Sequence, residues 1–407
     1  MAQATHSLSF LLPICIIVAY ALGIISSLWL FPWIKRTAVY LITRNSSSSN
    51  NIKRQYITPD ESLYGLDHAG LNMQLPPSTM WMNMGYWKDI TSAQLPEACE
   101  ALLDRILESA GLDIRSKDRD NTVQRSTGVH PTRRRRVLLD LGFGCGEQTM
   151  HLMMNPTRPS PLFDEYIGVT LDKVQYEFAQ RRLQQNIIQQ KQQEASNGGL
   201  YEAKGNIALF CADAARPSTW SEELKQEVYN AFIREEDNVE RYVLGLDTLY
   251  HFHPSRQEIF KYAHSTLRAN MLAFDLFLAP PNPSGLKQAL NTLFLRLLTP
   301  ALGAPFNNFV SPAAYRAQLE GAGYLAENIM VDDITDGVFA GLAGFLEKRH
   351  QEMTGMGLGG YTKWQVAGWL FRWLSGGGIL RAGIIVAQRT RENKLAVDAK
   401  YERNMRA

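Results

Sequence analysis

The chain has 407 residues, of which 45% are hydrophobic and 20% charged, as in an ordinary folded protein. Its formal net charge of +2 gives no general case for nucleic acid binding. The cysteines lie far apart, with no CxxC pair and no histidine cluster at ligand spacing, which argues against a disulfide framework or a structural zinc site. They are Cys15, Cys99, Cys145 and Cys211.

The first predicted element is an apolar segment from Phe10 to Ile34 that contains no charged side chain. As a helix it would be about 37 Å long, enough to cross a hydrocarbon core of about 30 Å. No Lys or Arg precedes it, whereas Lys35, Arg36 and Arg44 follow it, so the positive-inside rule places its C-terminal side in the cytosol. A cleaved signal peptide and a buried core helix are the alternatives. We predict a single-pass anchor (residues 1–34) in the endoplasmic reticulum membrane, with the rest of the chain cytosolic.

The next two regions connect this segment to the first strand. Residues 35–62 include the polar run NSSSSNN and are predicted to be a flexible tether. Residues 63–136 are predicted to be a cap segment, and Leu95–Leu107 within it has apolar residues at helical spacing. Its last part, from Asp113 to Arg136, is charged and lacks periodicity, so it is predicted to be an exposed insertion.

From Val137 onward, short apolar runs alternate with helical patterns, which predicts a parallel sheet with helices on both faces. The predicted strands are Val137–Leu141, Tyr166–Thr170, Ile207–Cys211, Tyr242–Leu246 and Met271–Leu278. Glu147–Met154 is predicted to be the start of a helix, and two further helices are predicted at Asp172–Gln190 and Ser255–Leu267. Residues 137–280 would therefore form a Rossmann-like core.

A glycine-rich loop, DLGFGCGE from Asp140 to Glu147, follows the first of these strands and opens a helix. Glycines in such a loop allow a sharp turn and a close approach of the backbone to a ligand. The loop lacks the Lys-Ser or Lys-Thr of a nucleoside triphosphate site, and Glu147 occupies the third glycine position of a dinucleotide motif. Asp140 would repel a pyrophosphate and suits a ligand with an ammonium group. A tight turn without any ligand is the alternative.

The run DLGFGCGEQT resembles motif I of the class I S-adenosylmethionine-dependent methyltransferases. The run GVTLDKVQ, from Gly168 to Gln175, resembles the second motif in its cyclopropane-synthase-like variant. This resemblance implies a Rossmann-like methyltransferase fold of small-molecule or lipid type, with S-adenosyl-L-methionine as cofactor. Most members carry an acid at the end of the second strand for the ribose hydroxyls. Thr170 stands there instead, which favours Thr170, Leu171 and Gln175 as ribose contacts.

Two further segments resemble motifs of the same family. Asp213, within Cys211–Ala214, would accept hydrogen bonds from the adenine amine, although it also suits a helix N-cap. The segment from Leu246 to Phe252 resembles the one that borders the transferred methyl group. The cofactor contacts implied by the resemblance are Asp140, Gly142, Gly144, Gly146, Thr170, Leu171, Gln175, Asp213, Ala214 and Asp247, with Tyr86 and Trp87 of the cap segment.

Methyl transfer requires alignment of the reactants and, for a hydroxyl acceptor, a base. Met82–Trp87 resembles the GYW-type segment of lipid and natural-product methyltransferases, in which Tyr86 and Trp87 would face the sulfonium by cation–π attraction. His251 is the candidate base, with Tyr86 as a second catalytic candidate. Ordinary core aromatics and a structural histidine are the alternatives. No metal is expected, because His251 and His253 lack a third ligand.

Residues 281–407 are predicted to form a substrate cap and the last strands. Ser311–Gly321 is predicted to be a helix, Leu325–Val331 a strand and Ile379–Ala387 an antiparallel last strand. The intervening insertion contains Lys363–Leu374, either a core helix or a lid that faces lipid or acceptor. The expected function is methyl transfer to a lipophilic small molecule at a membrane surface. A protein or peptide methyltransferase and a catalytically silent scaffold are the alternatives.

Overall fold

The computed structural model describes the greater part of the chain after residue 76, with several gaps. The described residues are 74, 77–88, 90, 94–112, 134–158, 160–196, 205–234, 238–280, 285–299, 303–358, 362–377 and 379–390. They all belong to the unit Leu66–Ala407. The predicted anchor, the tether and residues 113–133 of the predicted insertion lie outside them and stay predictions. Among the helices that are described, none is both long and apolar enough to cross a bilayer.

The described residues contain one mixed sheet, with strand order β3-β2-β1-β4-β5-β7-β6. Its strands are β1 (Arg135–Leu141), β2 (Glu165–Thr170), β3 (Asn206–Cys211), β4 (Val239–Leu246), β5 (Asn270–Leu278), β6 (Ile329–Asp333) and β7 (Leu380–Ala387). Strands β1 to β5 pair in parallel, and β7 is antiparallel to both β5 and β6. The predicted Rossmann-like sheet with an antiparallel last strand is therefore confirmed.

Helices cover both faces of this sheet. They are α1 (Leu95–Ser109), α2 (Glu147–Met153), α3 (Lys173–Ser196), α4 (Glu222–Phe232), α5 (Gln257–Lys261), α6 (Gly285–Leu298), α7 (Pro312–Glu320), α8 (Phe339–Gly355) and α9 (Thr362–Gly377). On β1, Val137 and Leu139 belong to one buried cluster, while Leu138 belongs to the other. Because successive side chains of a strand point to opposite faces, the two clusters lie on opposite sides of the sheet. Burial on both faces explains why the central strands are continuously apolar.

The element boundaries depart most from the sequence prediction at three places. The helix predicted to end near Gln190 continues to Ser196. The predicted helix Ser255–Leu267 is divided into α5 and a π-helical turn, Tyr262–Thr266. The strand predicted at Leu325 begins only at Ile329, because Ala326–Asn328 forms a 3-10 turn and pairing with β7 starts after it.

The insertion between β6 and β7 contains α8 and α9. On α9, Gly368 and Leu374 are buried, whereas Val366 and Trp369 are exposed. The segment predicted to be either a core helix or a lid thus has one face in the core and one face in solvent.

Candidate functional site

A cavity of about 580 Å³ lies at the carboxyl ends of β1 to β4. Open α/β sheets bind ligands at this edge. Its walls come from the glycine loop, the loops after β2, β3 and β4, the cap segment and Gly303. The lining residues are Met80, Trp81, Met82, Asn83, Gly142, Phe143, Gly144, Cys145, Glu147, Gln148, Thr170, Leu171, Asp172, Gln175, Asp213, Ala214, Ala215, Arg216, Leu246, Asp247, Thr248, Tyr250, His251, Phe252, His253 and Gly303.

The glycine loop has two glycines at the cavity and one behind it. Gly142 and Gly144 line the cavity with φ of +80° and +61°. A Cβ on Gly144 would meet no protein atom within 4 Å, so that residue faces open space. Gly146 does not line the cavity, because it precedes α2 with φ of +88° and packs toward α3, where a Cβ would lie 3.1 Å from the Ala179 Cβ. Gly146 thus packs against α3, and its predicted ligand contact stays a prediction.

Asp140 lies beneath the glycine loop and is not among the lining residues of the cavity, so its predicted contact with the ligand stays a prediction. Its side chain is fully buried on β1, where it accepts hydrogen bonds from the Gln148 Nε2 at 2.7 Å and from the Tyr166 hydroxyl. Burial raises the pKa of Asp140 to about 6, although both hydrogen bonds lower it. Gln148 does line the cavity, so Asp140 acts on the site by holding the Gln148 amide.

The residues predicted after β2 are all at the cavity. Thr170 is buried, while Leu171 exposes 71% of its surface. Gln175 lies on the first turn of α3, where its backbone N–H donates to the Asp172 Oδ1 at 2.9 Å. Asp172 itself lines the cavity, so a carboxylate is present on this side, two residues beyond the usual family position.

Asp213 and Ala214 line the cavity after β3, as predicted. The Asp213 Oδ1 accepts a hydrogen bond from the Ala215 N–H at 2.9 Å, and its Oδ2 accepts one from the Arg216 Nε at 2.7 Å. The carboxylate therefore stabilises its own turn while remaining at the cavity wall, and it does not take the N-cap position considered from the sequence, which Arg216 occupies before the next helical turn.

Asp247 connects the end of β4 to the cap segment. It lines the cavity with φ of +59°, a conformation that non-glycine residues seldom adopt. Its Oδ2 accepts a hydrogen bond from the Met84 N–H and its Oδ1 accepts one from the Tyr250 hydroxyl, each at 2.8 Å. Burial raises the pKa of Asp247 to about 7 in spite of these donors. Asp247 therefore lies at the cavity and also holds the cap segment, while its predicted contact with the cofactor stays a prediction.

Tyr86 and Trp87 are not among the lining residues of the cavity, so their predicted contact with the cofactor, and Tyr86 as a catalytic residue, stay predictions. The backbone turns at Gly85, with φ of +72°, and the Trp87 ring lies against α8. The Arg105 guanidinium lies 4.7 Å from the Tyr86 ring, and Trp87 packs against Phe345 at 5.4 Å. The preceding residues, Met80–Asn83, form this wall of the cavity instead.

His251 lies on a 3-10 turn, Leu249–His251, and lines the cavity. Its Nδ1 is 3.2 Å from the Gly303 carbonyl oxygen, which selects the tautomer with a proton on Nδ1 and leaves Nε2 as an acceptor. Partial desolvation lowers the pKa of His251 from 6.5, so the ring is neutral at neutral pH. The predicted candidate base is thus at the cavity and in its basic form.

Asn308, which sequence reasoning missed, holds this turn in place. Its Nδ2 donates to the carbonyl oxygens of Tyr250 at 3.1 Å and Phe252 at 2.8 Å, on either side of His251. The Asn308 carbonyl oxygen in turn accepts a hydrogen bond from Arg256, which is fully buried and paired with Asp275. No sequence motif marked Asn308, because its partners lie more than fifty positions away.

Carboxylates dominate the charge of the described cavity wall. Glu147, Asp172, Asp213 and Asp247 line it, with Arg216 as the cation among them. Glu147 is paired with Arg182 of α3, whose Nη2 also donates to the Ser78 carbonyl oxygen at 3.0 Å. Asp213 is paired with Arg216, and burial raises the pKa of Asp247 to about 7, so the negative charge of the wall is smaller than four carboxylates would give. The charge that remains favours a cationic ligand.

No family model and no curated relative matches the sequence. Solved structures to which the chain is similar include a cyclopropane synthase from Mycobacterium tuberculosis, at 14% identity and a TM-score of 0.46, covering 75% of this chain and 89% of that one. A geranyl diphosphate C-methyltransferase from Streptomyces coelicolor A3(2) matches at 13% identity, a TM-score of 0.45 and coverages of 76% and 91%.

A third similar structure is a [4+2]-cyclase, at 14% identity, a TM-score of 0.44 and coverages of 76% and 88%. The first two proteins are of the type that the sequence motifs resemble. Because one fold can host unrelated reactions, such likeness does not identify the activity, which depends on the residues of the site.

Proposed function

We propose that this protein transfers a methyl group from S-adenosyl-L-methionine to a lipophilic small molecule at a membrane surface. The observation that carries the proposal is the cavity itself, in which an open glycine loop, a carboxylate-rich wall and a neutral histidine meet at the strand ends. These features match the three needs of the reaction, which are room for a cofactor backbone, complementarity to a cation, and a proton acceptor.

The described residues fit the cofactor on structural grounds. The space beside Gly144 is free of protein atoms, so a ligand can approach the loop backbone there. Gln148, fixed by Asp140, presents an amide to the same space. Thr170, Asp172 and Gln175 would hold the ribose. Asp213 and Ala214 would border the adenine.

When bound, the cofactor supplies an electrophilic methyl group. The protein's own part is to orient the acceptor and to take up a proton where the acceptor is a hydroxyl. The His251 Nε2 is available for that proton because Nδ1 is engaged with Gly303. Asn308 prevents the turn from rotating away by binding the carbonyls on both sides of His251.

Apolar side chains in the wall support a lipophilic acceptor. Trp81, Met82, Phe143, Leu246 and Phe252 contribute them. A cavity of about 580 Å³ lies within the range of about 300–1,000 Å³ typical of small-molecule sites. The predicted anchor would hold this cavity where apolar compounds partition.

The test is incubation of the full chain with methyl-labelled S-adenosylmethionine and a lipid extract, followed by chromatography of the labelled products. Label in an extractable lipophilic compound is the expected result. Label on protein would replace the small-molecule acceptor with a polypeptide. Cofactor binding without any transfer in the presence of varied acceptors would indicate a silent scaffold.

A further inference from the structure

Helix α6 exposes an apolar stripe to solvent. Leu290, Leu293, Phe294 and Leu297 follow the spacing i, i+3, i+4, i+7, which places them on one face of the helix. They expose 45%, 46%, 37% and 55% of their surfaces, while Leu295 packs into the core. An amphipathic helix usually buries its apolar face against the protein, so this arrangement leaves an apolar face without a covering element among the described residues.

Helix α9 extends this stripe into a surface. Its Val366 and Trp369 expose 63% and 58% of their surfaces. One helical turn beyond Trp369, the Trp373 ring meets the Phe294 ring edge-on at 5.0 Å between centroids, which joins the two helices. The combined α6–α9 surface consists of Leu290, Leu293, Phe294, Leu297, Val366 and Trp369. Single exposed apolar residues are normal, but a contiguous group of this size marks an interaction site.

We propose that the α6–α9 surface docks on a lipid bilayer. The chain outside the described residues supports this occupant, because it contains the 25 uncharged residues from Phe10 to Ile34. Five basic residues follow that segment before the first acid, at Asp60, and anionic leaflets attract such juxtamembrane clusters. Tryptophans are enriched at the bilayer interface, where Trp369 would lie, and the exposed Arg296 on α6 would meet lipid phosphates.

The short sequence separation between α6 and the cavity wall gives the docking a consequence for the proposed function. The helix ends at Leu298, and five residues later Gly303 lines the cavity and accepts the hydrogen bond of His251. A bilayer against α6 would therefore constrain the chain that leads to this residue of the wall. This consequence rests on methyl transfer being the activity, but lipid contact itself does not.

Photocrosslinking of the full chain reconstituted in vesicles tests the proposal. The vesicles contain phosphatidylcholine and phosphatidylserine, with a trace of radiolabelled phosphatidylcholine. Benzoylphenylalanine replaces Leu293 or Trp369 in the test variants and Tyr229 in the control. Tyr229 is matched because it is also a large side chain, 48% exposed, but on α4, which packs on the other face of the sheet. Circular dichroism and thermal unfolding check that each variant is folded.

The expected result is radiolabelled lipid attached at positions 293 and 369, at least tenfold above position 229. Crosslinks between two chains would identify a second copy as the occupant, and crosslinks to residues 10–34 of the same chain would identify that segment. Either outcome, or equal labelling at all three positions, would overturn lipid docking. Because crosslinking does not measure methyl transfer, its result does not depend on whether the proposed function is correct.

Discussion

Replacement of Gly144 by valine probes the cofactor cavity, and the chain offers a matched control in Gly111. Both glycines have positive φ, +61° at Gly144 and +74° at Gly111, and a Cβ on either would meet no protein atom within 4 Å. Gly111 follows α1 and is not a lining residue, whereas Gly144 lines the cavity. The two substitutions therefore share their backbone strain and differ in what the new side chain obstructs.

The two variants should lose similar stability but differ in their affinity for the cofactor. A side chain at positive φ costs about 1–2 kcal/mol, so Gly144→Val and Gly111→Val should lower the free energy of unfolding by similar amounts. Only Gly144→Val places methyl groups in the space open to the cofactor. We expect its Kd for S-adenosylmethionine to rise at least about 100-fold, equivalent to about 2.8 kcal/mol, with the Kd of Gly111→Val unchanged.

Titration calorimetry measures these affinities, and urea unfolding measures the stabilities. A folded Gly144→Val protein with undiminished affinity would refute the assignment of the glycine loop to the cofactor. Equal losses of affinity in both variants would show that backbone strain, not obstruction of the cavity, is responsible.

Three further substitutions test the acceptor side and its support. With a hydroxyl acceptor, His251→Ala should lower kcat by roughly 10²–10⁴ in a turnover assay while leaving the calorimetric Kd for S-adenosylmethionine unchanged, because it removes only the base. Asn308→Ala should lower the free energy of unfolding in urea by about 1–3 kcal/mol, since it leaves two carbonyls without their donor, and should lower kcat without moving the acid limb of the pH profile. Arg256→Ala should cost about 3–5 kcal/mol by the same unfolding measurement, because Asp275 would remain as a buried unpaired charge. The control for Arg256→Ala is Arg372→Ala, which breaks the exposed pair of Arg372 and Glu347 and should lower the free energy of unfolding by only about 0–1 kcal/mol.

The pH dependence has a definite sign. Desolvation lowers the pKa of His251 below 6.5, so the decline in wild-type activity that His251 causes should have its midpoint below pH 6.5. The His251→Ala profile separates this decline from the titration of Asp247, whose pKa is about 7. Normal turnover in His251→Ala, with no change in the acid limb, would exclude His251 as the base. An Asn308→Ala profile shifted along the pH axis would mean that Asn308 affects the proton affinity of His251 as well as its position.

Local signals in the sequence were sufficient for the sheet and for much of the site. The alternation of apolar runs and helical patterns located β1 to β5, and the runs of β1, β2, β4 and β5 are mostly buried, as expected of central strands. The residues predicted from motifs at strand ends, such as Thr170, Asp213 and His251, line the cavity. They do so because parallel strands bring their carboxyl ends to one edge, whatever the details of packing.

The sequence could not predict the direction of several side chains. Asp140 stands in a recognisable motif, yet its place on β1 directs its carboxylate under the loop toward Gln148 and Tyr166. Tyr86 and Trp87 follow Gly85, which has positive φ, and their rings meet Arg105 of α1 and Phe345 of α8. Both outcomes depend on partners far along the chain, which spacing within a motif does not specify.

The wall formed by Met80–Asn83 shows how the cap segment and the core depend on each other. The Met80 N–H donates to the Glu147 carboxylate, directly after the glycine loop, and the Met84 N–H donates to the Asp247 carboxylate, directly after β4. Hydrogen bonds to two carboxylates, which also line the cavity, thus hold this wall at both ends. In the sequence, Glu147 served only to exclude a dinucleotide loop. In the structure, it also holds the cap segment against the glycine loop. Because the same carboxylates position the cap segment and line the cavity, a change at either one would alter the cavity wall on the side of the core and on the side of the cap segment.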